Sequence, residues 1–118
     1  MRNVLCHKAE SFAQRAFGLM HPSAAGYGPY EVLFFDECNS VHTFCMRRLI
    51  DVAFLDDKGT VQRVCRDLRP ARIRSHRSAR AVIERFSYAD EWVKAGDRLD
   101  LDALRTSRWV DVEAGGGL

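Results

Sequence analysis

The sequence predicts a mainly β fold, a small antiparallel β-sandwich or barrel with one or two short helices. Short segments rich in β-branched and aromatic residues recur along the whole chain. Two of them, DVAFLD and TVQRVC, are separated by the turn signature DKG, which favours an antiparallel hairpin. Only two segments have the capping residues of a helix, which is too few for a sheet whose strands alternate with helices.

Length and composition indicate one domain. The chain has 118 residues, of which 47% are hydrophobic and 29% charged, and this is the composition of a globular protein rather than of a disordered or fibrous one. We therefore expect a single mainly β domain over residues 1–114, followed by a flexible glycine-rich tail over residues 115–118.

The first thirty residues predict a strand, a helix and a long loop. RNVLCHKA alternates loosely between polar and apolar residues, as a short strand does. Ser11 and Gln14 have the spacing of a capping box, which predicts a helix through about Leu19, with Gly18 marking its end. Residues 21–30 contain two prolines and two glycines, so they predict a surface loop.

The middle of the chain predicts consecutive antiparallel strands. YEVLFFDE, VHTFCM, DVAFLD and TVQRVC are each rich in β-forming residues or alternate between polar and apolar ones. If VHTFCM and DVAFLD pair around the connection RRLI, residues 41–51 form a hairpin. Arg47 and Asp51 would then lie close together at the end of that hairpin.

The last forty residues predict further strands and a second helix. RAVIERF and WVDV have the composition of strands, and DRLDL is interpreted as one more. Between them, SYADEWVKAG predicts a short helix that begins at Ser87 and ends near Gly96. Aromatic residues at strand or helix spacing are assigned to the core: Phe12, Phe17, Phe34, Phe35, Phe44, Phe54 and Trp92.

Four polar residues lie in or beside the predicted hairpin: His42, Arg47, Asp51 and Glu84. Two interpretations of them stay open. In the first they line a small pocket, in which Arg47 holds an anion and His42 or Asp51 acts as an acid or base. In the second they form a satisfied structural network, in which an Arg neutralises Asp51 and locks the hairpin. The first interpretation predicts an anionic or carbonyl-bearing small molecule as the ligand, covered by the loop GYGPY.

The segment CNSVHTFC suggests a zinc site, because thiolate and imidazole groups are the usual zinc ligands. Strand alternation argues against this, since His42 and Cys45 are three residues apart and would point to opposite faces. We therefore expect no metal site, and no motif in the sequence indicates a cofactor.

A basic segment gives the chain its main local charge excess. The formal net charge is +2, but residues 63–85 contain eight Arg against Asp67 and Glu84, which leaves 8 − 2 = +6. Clustered Arg side chains contact the phosphates of nucleic acid regardless of its sequence. Base stacking needs aromatic side chains, however, and none lies between Val61 and Glu84. The segment therefore predicts a solvated loop, and nucleic acid is not the expected partner.

No apolar run has the length that a signal peptide or a membrane-spanning helix needs. The sequence therefore predicts a cytoplasmic protein without a membrane partner. In that compartment the four cysteines are expected to be reduced, mostly buried thiols: Cys6, Cys38, Cys45 and Cys65.

Several of these segments resemble those of a known family, called domain of unknown function 192. The resemblance rests on the run HTFCMRRLIDVAFLDDKG and on four shorter motifs: FGLM at 17–20, VLF at 32–34, ARAVIE at 79–84 and AGD at 95–97. Leu49 stands where that family often has proline, and Arg-Phe-Ser at 85–87 replaces an Ala-Gly-rich turn. The resemblance implies a small mainly β fold and no particular activity.

These observations predict a non-enzymatic cytosolic accessory protein or small-ligand-binding module, with a polar pocket at the 41–51 hairpin. Two alternatives stay open. The first is an enzyme of unknown reaction that uses His42 and Asp51. The second is a weak nucleic-acid binder that acts through the Arg-rich segment 63–85. The oligomeric state and the pathway are left open by the sequence.

Overall fold

The strands form a six-stranded sheet and a separate two-stranded sheet. The computed structural model describes residues 3–115 and, within them, every side chain except that of Phe12. The strands in chain order are β1 Asn3–Lys8, β2 Glu31–Asp36, β3 Ser40–His42, β4 Ile50–Leu55, β5 Val61–Leu68, β6 Ile73–Ser75, β7 Ala81–Phe86 and β8 Trp109–Asp111. The mainly β prediction is confirmed. The predicted tail 115–118 lies outside the described residues apart from Gly115.

The large sheet has the strand order β5-β4-β7-β2-β1-β8 and is not closed into a barrel, while β3 pairs with β6 in the small sheet. Neighbouring strands of the large sheet are antiparallel except β1 and β2, which run parallel. A parallel pair needs a crossover connection of about a dozen residues or more, which residues 9–30 supply. At this one pair the sheet differs from the antiparallel arrangement that the sequence predicts.

Helix α1, Phe12–Phe17, lies in that connection and begins where the capping box predicts. The Ser11 side chain accepts a hydrogen bond from Gln14 N at 3.0 Å, and Gln14 Oε1 accepts one from Ser11 N at 3.2 Å. These bonds satisfy backbone donors that the first turn of a helix leaves unpaired. Gly18 ends the helix with a φ of +55°. Two 3₁₀ turns follow, Gly18–Met20 and Pro22–Ala24.

The helix predicted over residues 87–96 is wrong, because this segment is irregular. The side chain of Arg66 in β5 donates hydrogen bonds to the backbone carbonyl oxygens of this segment. The Arg66 Nη2 atom donates to Tyr88 O at 2.8 Å and to Asp90 O at 3.1 Å. Tertiary hydrogen bonds therefore replace the local ones that a helix would form.

The second helix, α2 Leu101–Thr106, begins at the last residue of DRLDL, the segment for which the sequence predicts a strand. The side chain of Asp100 accepts a hydrogen bond from Asp102 N at 2.9 Å, which is the geometry of an N-cap. Leu101 and Leu104, three residues apart on one face of the helix, are buried. The sequence interpretation misses this helix because DRLDL alternates as a strand does.

Both faces of the large sheet are covered, so the fold is sandwich-like. β4 and β7 contain only buried residues. Side chains alternate along β2, with Val32 and Phe34 in the core on one face and Leu33 and Phe35 in the core on the other. Helix α2 covers the first face, and the turn at Leu19 helps to cover the second.

The core assignment is confirmed for four of the seven aromatic residues, which are at most 5% exposed: Phe34, Phe35, Phe54 and Trp92. It is wrong for Phe17 and Phe44, whose exposed fractions are 60% and 48%. The side chain of Phe12 lies outside the described residues. Two aromatic rings therefore face solvent although their spacing is that of core residues.

The hairpin predicted over residues 41–51 is wrong. Strand β3 pairs with β6, whereas β4 pairs with β5 and β7. Thr43, which is fully buried, bonds the end of β3 to residues 69–72 instead of to β4. Its N–H donates to Arg72 O at 2.9 Å, and its hydroxyl donates to Arg69 O at 2.6 Å. Cys45 then adopts a φ of +67° in the turn that separates β3 from β4.

The prediction of one solvated loop over residues 63–85 is wrong in part. The segment begins in β5, passes through β6 and ends in β7. Arg85 is fully buried, whereas Arg63, Arg69 and Arg72 are exposed. The charge of this segment is therefore divided between the core and the surface.

Candidate functional site

Glu84 is a buried acid in the middle of β7, opposite Leu33 of β2 and Val52 of β4. Only 4% of the residue is exposed, and within residues 3–115 no protein group forms a hydrogen bond or ion pair with its carboxyl group, which faces a cavity. Burial raises the pKa of Glu84 to about 8, because a desolvated carboxylate is less stable than the neutral acid. At neutral pH the group is therefore mostly a carboxylic acid, which donates as well as accepts a hydrogen bond.

A cavity of about 100 Å³ opens beside the Glu84 carboxyl group. Phe17 and Gly18 line it from the end of α1, Phe35 from β2 and Met46 from the turn after β3. These four residues are apolar, but Arg15 and Ser40 also line the cavity, so its wall has mixed polarity. A few polar groups that converge on an apolar surface are usual in small-molecule sites.

Gly18 brings the backbone against Glu84. A Cβ atom at position 18 would lie 3.2 Å from Glu84 Oε1 and 3.4 Å from Phe35 Cζ. The φ of +55° at Gly18 also lies in the left-handed region, which glycine adopts without strain. A side chain at position 18 would therefore strain the turn and occupy the space in front of the acid.

His42 and Cys38 also line the cavity. His42 is exposed, and its ring stacks on that of Phe44 with 5.4 Å between the centroids. Cys38 Sγ donates to Ser40 O at 3.2 Å, and burial raises the pKa of this thiol. At neutral pH the site therefore offers a thiol rather than a nucleophilic thiolate, and an imidazole at its rim.

The structure brings two of the four predicted site residues together. His42 and Glu84 line the same cavity. Arg47 is exposed and does not line it, and Asp51 is fully buried in a separate network. The predicted pairing of Arg47 with Asp51 is wrong, because the ion-pair partners of Asp51 are Arg85 and Arg66. Ligand binding by the four residues stays a prediction.

Asp51 lies at the centre of a hydrogen-bond network that joins β4, β5 and β7. Arg85 Nε donates to Asp51 Oδ2 at 2.9 Å, and Arg66 Nε lies 3.1 Å from the same oxygen. The other oxygen accepts from Ser87 Oγ at 2.7 Å and from Asp67 N at 2.9 Å. Protein groups satisfy both carboxylate oxygens, so Asp51 fits the structural interpretation, with different arginines from those predicted.

Sequence reasoning did not place Arg85 beside Asp51, or Gly18 and Cys38 beside Glu84. Arg85 stands opposite Asp51 in the register of β4 and β7, so the pairing of these strands is needed to see it. The end of helix α1 at Gly18 is confirmed, but the contact of Gly18 with Glu84 joins distant parts of the chain. The motif FGLM, which contains Gly18, was the one available signal.

Within residues 3–115, no group of three or more His, Cys, Asp and Glu side chains is arranged to hold a metal ion. Over the same range, no helix is long and apolar enough to cross a bilayer. The absence of a cofactor and the cytoplasmic location stay predictions.

Comparison with known proteins gives a family and a fold. The family model of DUF192, described as "Uncharacterized ACR", matches residues 2–101. No curated protein matches the sequence. A crystal structure of a protein of unknown function from Novosphingobium aromaticivorans DSM 12444 superimposes with a TM-score of 0.60 and 15% identity, covering 96% of this chain and 84% of that one. A proposed transcription regulator from Sinorhizobium meliloti 1021 gives a TM-score of 0.58 and 20% identity, covering 99% and 92%.

Proposed function

The chain belongs to the DUF192 family of uncharacterised proteins, and we propose that it is a non-enzymatic, cytoplasmic small-ligand-binding module whose site is the Glu84 cavity. The observation that carries the proposal is the Glu84 carboxyl group, which faces an open cavity and forms no hydrogen bond with a protein group within residues 3–115. A ligand group in the cavity would supply that hydrogen bond, which is worth about 1 kcal/mol net.

The protonation state of Glu84 selects the class of ligand. Because burial raises its pKa to about 8, the neutral acid presents an O–H donor at physiological pH. The matching group is an acceptor such as the carbonyl oxygen of an amide, ester or ketone. An anion inside the cavity would need a cation beside it, and Arg15 is the one Arg or Lys that lines the cavity in the described part of the chain. The proposed ligand is therefore carbonyl-bearing, with any anionic group placed outside, near Arg15.

The size of the cavity limits how much of a ligand enters. A volume of about 100 Å³ corresponds to roughly three water molecules in the liquid, so it accepts one small functional group. The remainder of the ligand would lie over the rim, where Phe17 is 60% exposed and His42 stacks on Phe44. These side chains suit an apolar or planar remainder.

The convergence of separate segments on one cavity supports a binding site over a packing defect. Three of the segments that carry the family resemblance reach it: FGLM through Phe17 and Gly18, HTFCM through His42 and Met46, and ARAVIE through Glu84. Packing alone would not require polar groups from distant segments to face the same cavity.

The enzyme alternative receives no comparable support. It requires His42 and Asp51 to act together, but His42 is exposed at the cavity rim while both oxygens of Asp51 are hydrogen-bonded to protein groups. Cys38 lines the cavity as a candidate nucleophile, but burial raises the pKa of its thiol. An unactivated thiol is a weak nucleophile at neutral pH.

A pair of isosteric probes, acetamide and acetate, tests this function by NMR titration of the Gly18 amide. We expect acetamide to bind at about pH 6.5 and to bind about 30-fold more weakly at about pH 9.5, since only roughly 3% of Glu84 is then neutral if its pKa is about 8. Acetate should bind more weakly than acetamide at both values.

Two variants serve as matched controls. In Glu84→Gln the side chain still donates a hydrogen bond but does not titrate, so acetamide binding should persist and lose its pH dependence. In Glu84→Leu the donor is absent, so binding should disappear. Failure of acetamide to perturb Gly18 in the wild type, or equal binding to Glu84→Leu, would refute the carbonyl site.

A further inference from the structure

A basic ribbon, which we define as residues 39–48 together with residues 69–77, projects a concentrated positive charge. It contains the two-stranded sheet of β3 and β6. The two segments hold six Arg and two His and no Asp or Glu: Arg47, Arg48, Arg69, Arg72, Arg74, Arg77, His42 and His76. Hydrogen bonds from Thr43 N to Arg72 O and from Ala71 N to Thr43 O hold the segments together.

The arginines of the ribbon lack acidic partners. In the described part of the chain, salt bridges engage Arg66, Arg85, Arg98 and Arg105, none of which belongs to the ribbon. The Arg72 guanidinium reaches only its own loop, at 3.3 Å from Pro70 O and 3.4 Å from Ala71 O. Arg63 of β5 adds a further guanidinium, because its Nη1 donates to Ser75 O at 3.1 Å. Donors that meet only neutral carbonyls remain available to an anion.

Aromatic and apolar side chains lie beside this charge. His42 of β3 and Ile73 of β6 are opposite each other in register, and both are exposed, Ile73 to 60%. Phe44, 48% exposed, stacks on the His42 ring. The sequence contains no aromatic residue between Val61 and Glu84, but the fold places Phe44 of a different segment beside these arginines.

We propose that the basic ribbon binds single-stranded nucleic acid, with phosphates on Arg69 and Arg72 and a base on Phe44. Planar guanidinium groups bind phosphate oxygens bidentately. Exposed aromatic rings stack on unpaired bases, whose faces a duplex keeps stacked within the helix. The two α-helices of the described chain have six residues each, so neither has the length of a typical recognition helix for a duplex groove.

The ribbon shares Ser40, Val41, His42 and Met46 with the lining of the Glu84 cavity, and Phe44 stacks on His42 at its rim. Arg69 and Arg72 do not line the cavity, so their substitution tests the ribbon alone. Glu84→Gln should bind nucleic acid as the wild type does, which separates the two proposals.

Fluorescence anisotropy with a short labelled oligothymidylate measures the binding, and repeating it between about 50 and 200 mM salt measures the number of phosphate contacts. Replacing Arg69 and Arg72 together with Gln should lower the magnitude of the log–log salt slope by about 1.4, since each phosphate contact on a single strand contributes roughly 0.7. The charge-matched control replaces Lys94 and Arg108, which are exposed outside the ribbon, and should leave the slope unchanged.

Phe44→Ala should weaken binding about tenfold with an unchanged salt slope, because stacking is not screened by salt. Trp109→Ala removes an equally exposed aromatic ring from β8 and should have no effect. Circular dichroism confirms that each variant is folded. The proposal is overturned by undetectable binding at low salt, by tighter binding to duplex than to single strand, by equal binding to polyglutamate or to anionic phospholipid vesicles, or by equal effects of Phe44→Ala and Trp109→Ala.

Discussion

Asp51 of β4 and Arg85 of β7 stand opposite each other in the large sheet and form an ion pair at 2.9 Å in which neither side chain is exposed. The free-energy cost of removing two charges from water offsets much of their mutual attraction, so such a pair contributes little net stability compared with an apolar pair. Removing only one partner is strongly destabilising, because the other charge stays buried without a counterion. Arg85 also reaches Asp90 at 3.2 Å, so the pair fixes the irregular segment that follows β7.

Truncation of Asp51 tests this network. Asp51→Ala should lower the free energy of unfolding by about 3 kcal/mol or more, because Arg85 loses its buried partner. Arg47→Ala is the control, since Arg47 is exposed and should change the same quantity by less than about 0.5 kcal/mol. Equilibrium urea denaturation followed by tryptophan fluorescence measures both. Equal effects of the two substitutions would restore the pairing of Arg47 with Asp51 that the sequence predicts.

The pKa of Glu84 predicts how stability depends on pH. Because burial raises this pKa from 4.5 to about 8, the folded state binds the proton more tightly than the unfolded state does. The contribution is fully present below about pH 4.5 and is lost as pH rises through about 8, by up to about 5 kcal/mol in total. Glu84→Gln should lack this term, so the difference in unfolding free energy between the variant and the wild type should grow across that window. A constant difference would show that the acid is not desolvated.

Gly18 offers a test of the contact between the backbone and Glu84. Gly18→Ala should destabilise the protein by roughly 1–3 kcal/mol, since φ is +55° and the new Cβ would lie 3.2 Å from Glu84 Oε1. Gly26→Ala is a matched control, because a Cβ there meets nothing within 4 Å, and it should be neutral or slightly stabilising. Melting temperatures of the two variants give the comparison. Equal melting temperatures of the two variants would mean that the structure accommodates a side chain at position 18.

The sequence was most informative where local signals and tertiary contacts agree. The capping box at Ser11 and the strands of the large sheet were predictable because turn chemistry and hydrophobic patterns decide them. Residues 87–96 were not, because Arg66 and Arg85 bind the backbone carbonyl of Tyr88 from elsewhere in the fold. Local propensity carries no information about such distant donors.

In the candidate site, too, local sequence patterns identified some residues, whereas contacts between distant segments decided others. His42 and Glu84 were identified as polar residues in apolar surroundings, and they line one cavity. Arg47 and Asp51 were included because the sequence implied a hairpin, which the buried side chain of Thr43 prevents. A wrong strand pairing therefore accounts for the two residues that lie outside the cavity, and the role of Glu84 as a site residue stays a prediction.

The cysteines provide a chemical test of burial around the site. All four are free thiols, as the sequence predicts, but the prediction that most of them are buried is wrong, because Cys38 and Cys65 are partly exposed and Cys45 is exposed. Cys45 is exposed, whereas Cys6 is 3% exposed, donates to Leu104 O at 3.5 Å and has its pKa raised to about 11 by burial. A disulfide reagent such as DTNB at about pH 8 should therefore modify Cys45 rapidly and Cys6 only after the protein opens, since the thiolate is the reacting form. Cys45→Ser should remove the fast phase and leave slower modification of the partly exposed Cys38 and Cys65. A fast phase in this variant that disappears only when Cys6 is also replaced by Ser would contradict the burial of Cys6.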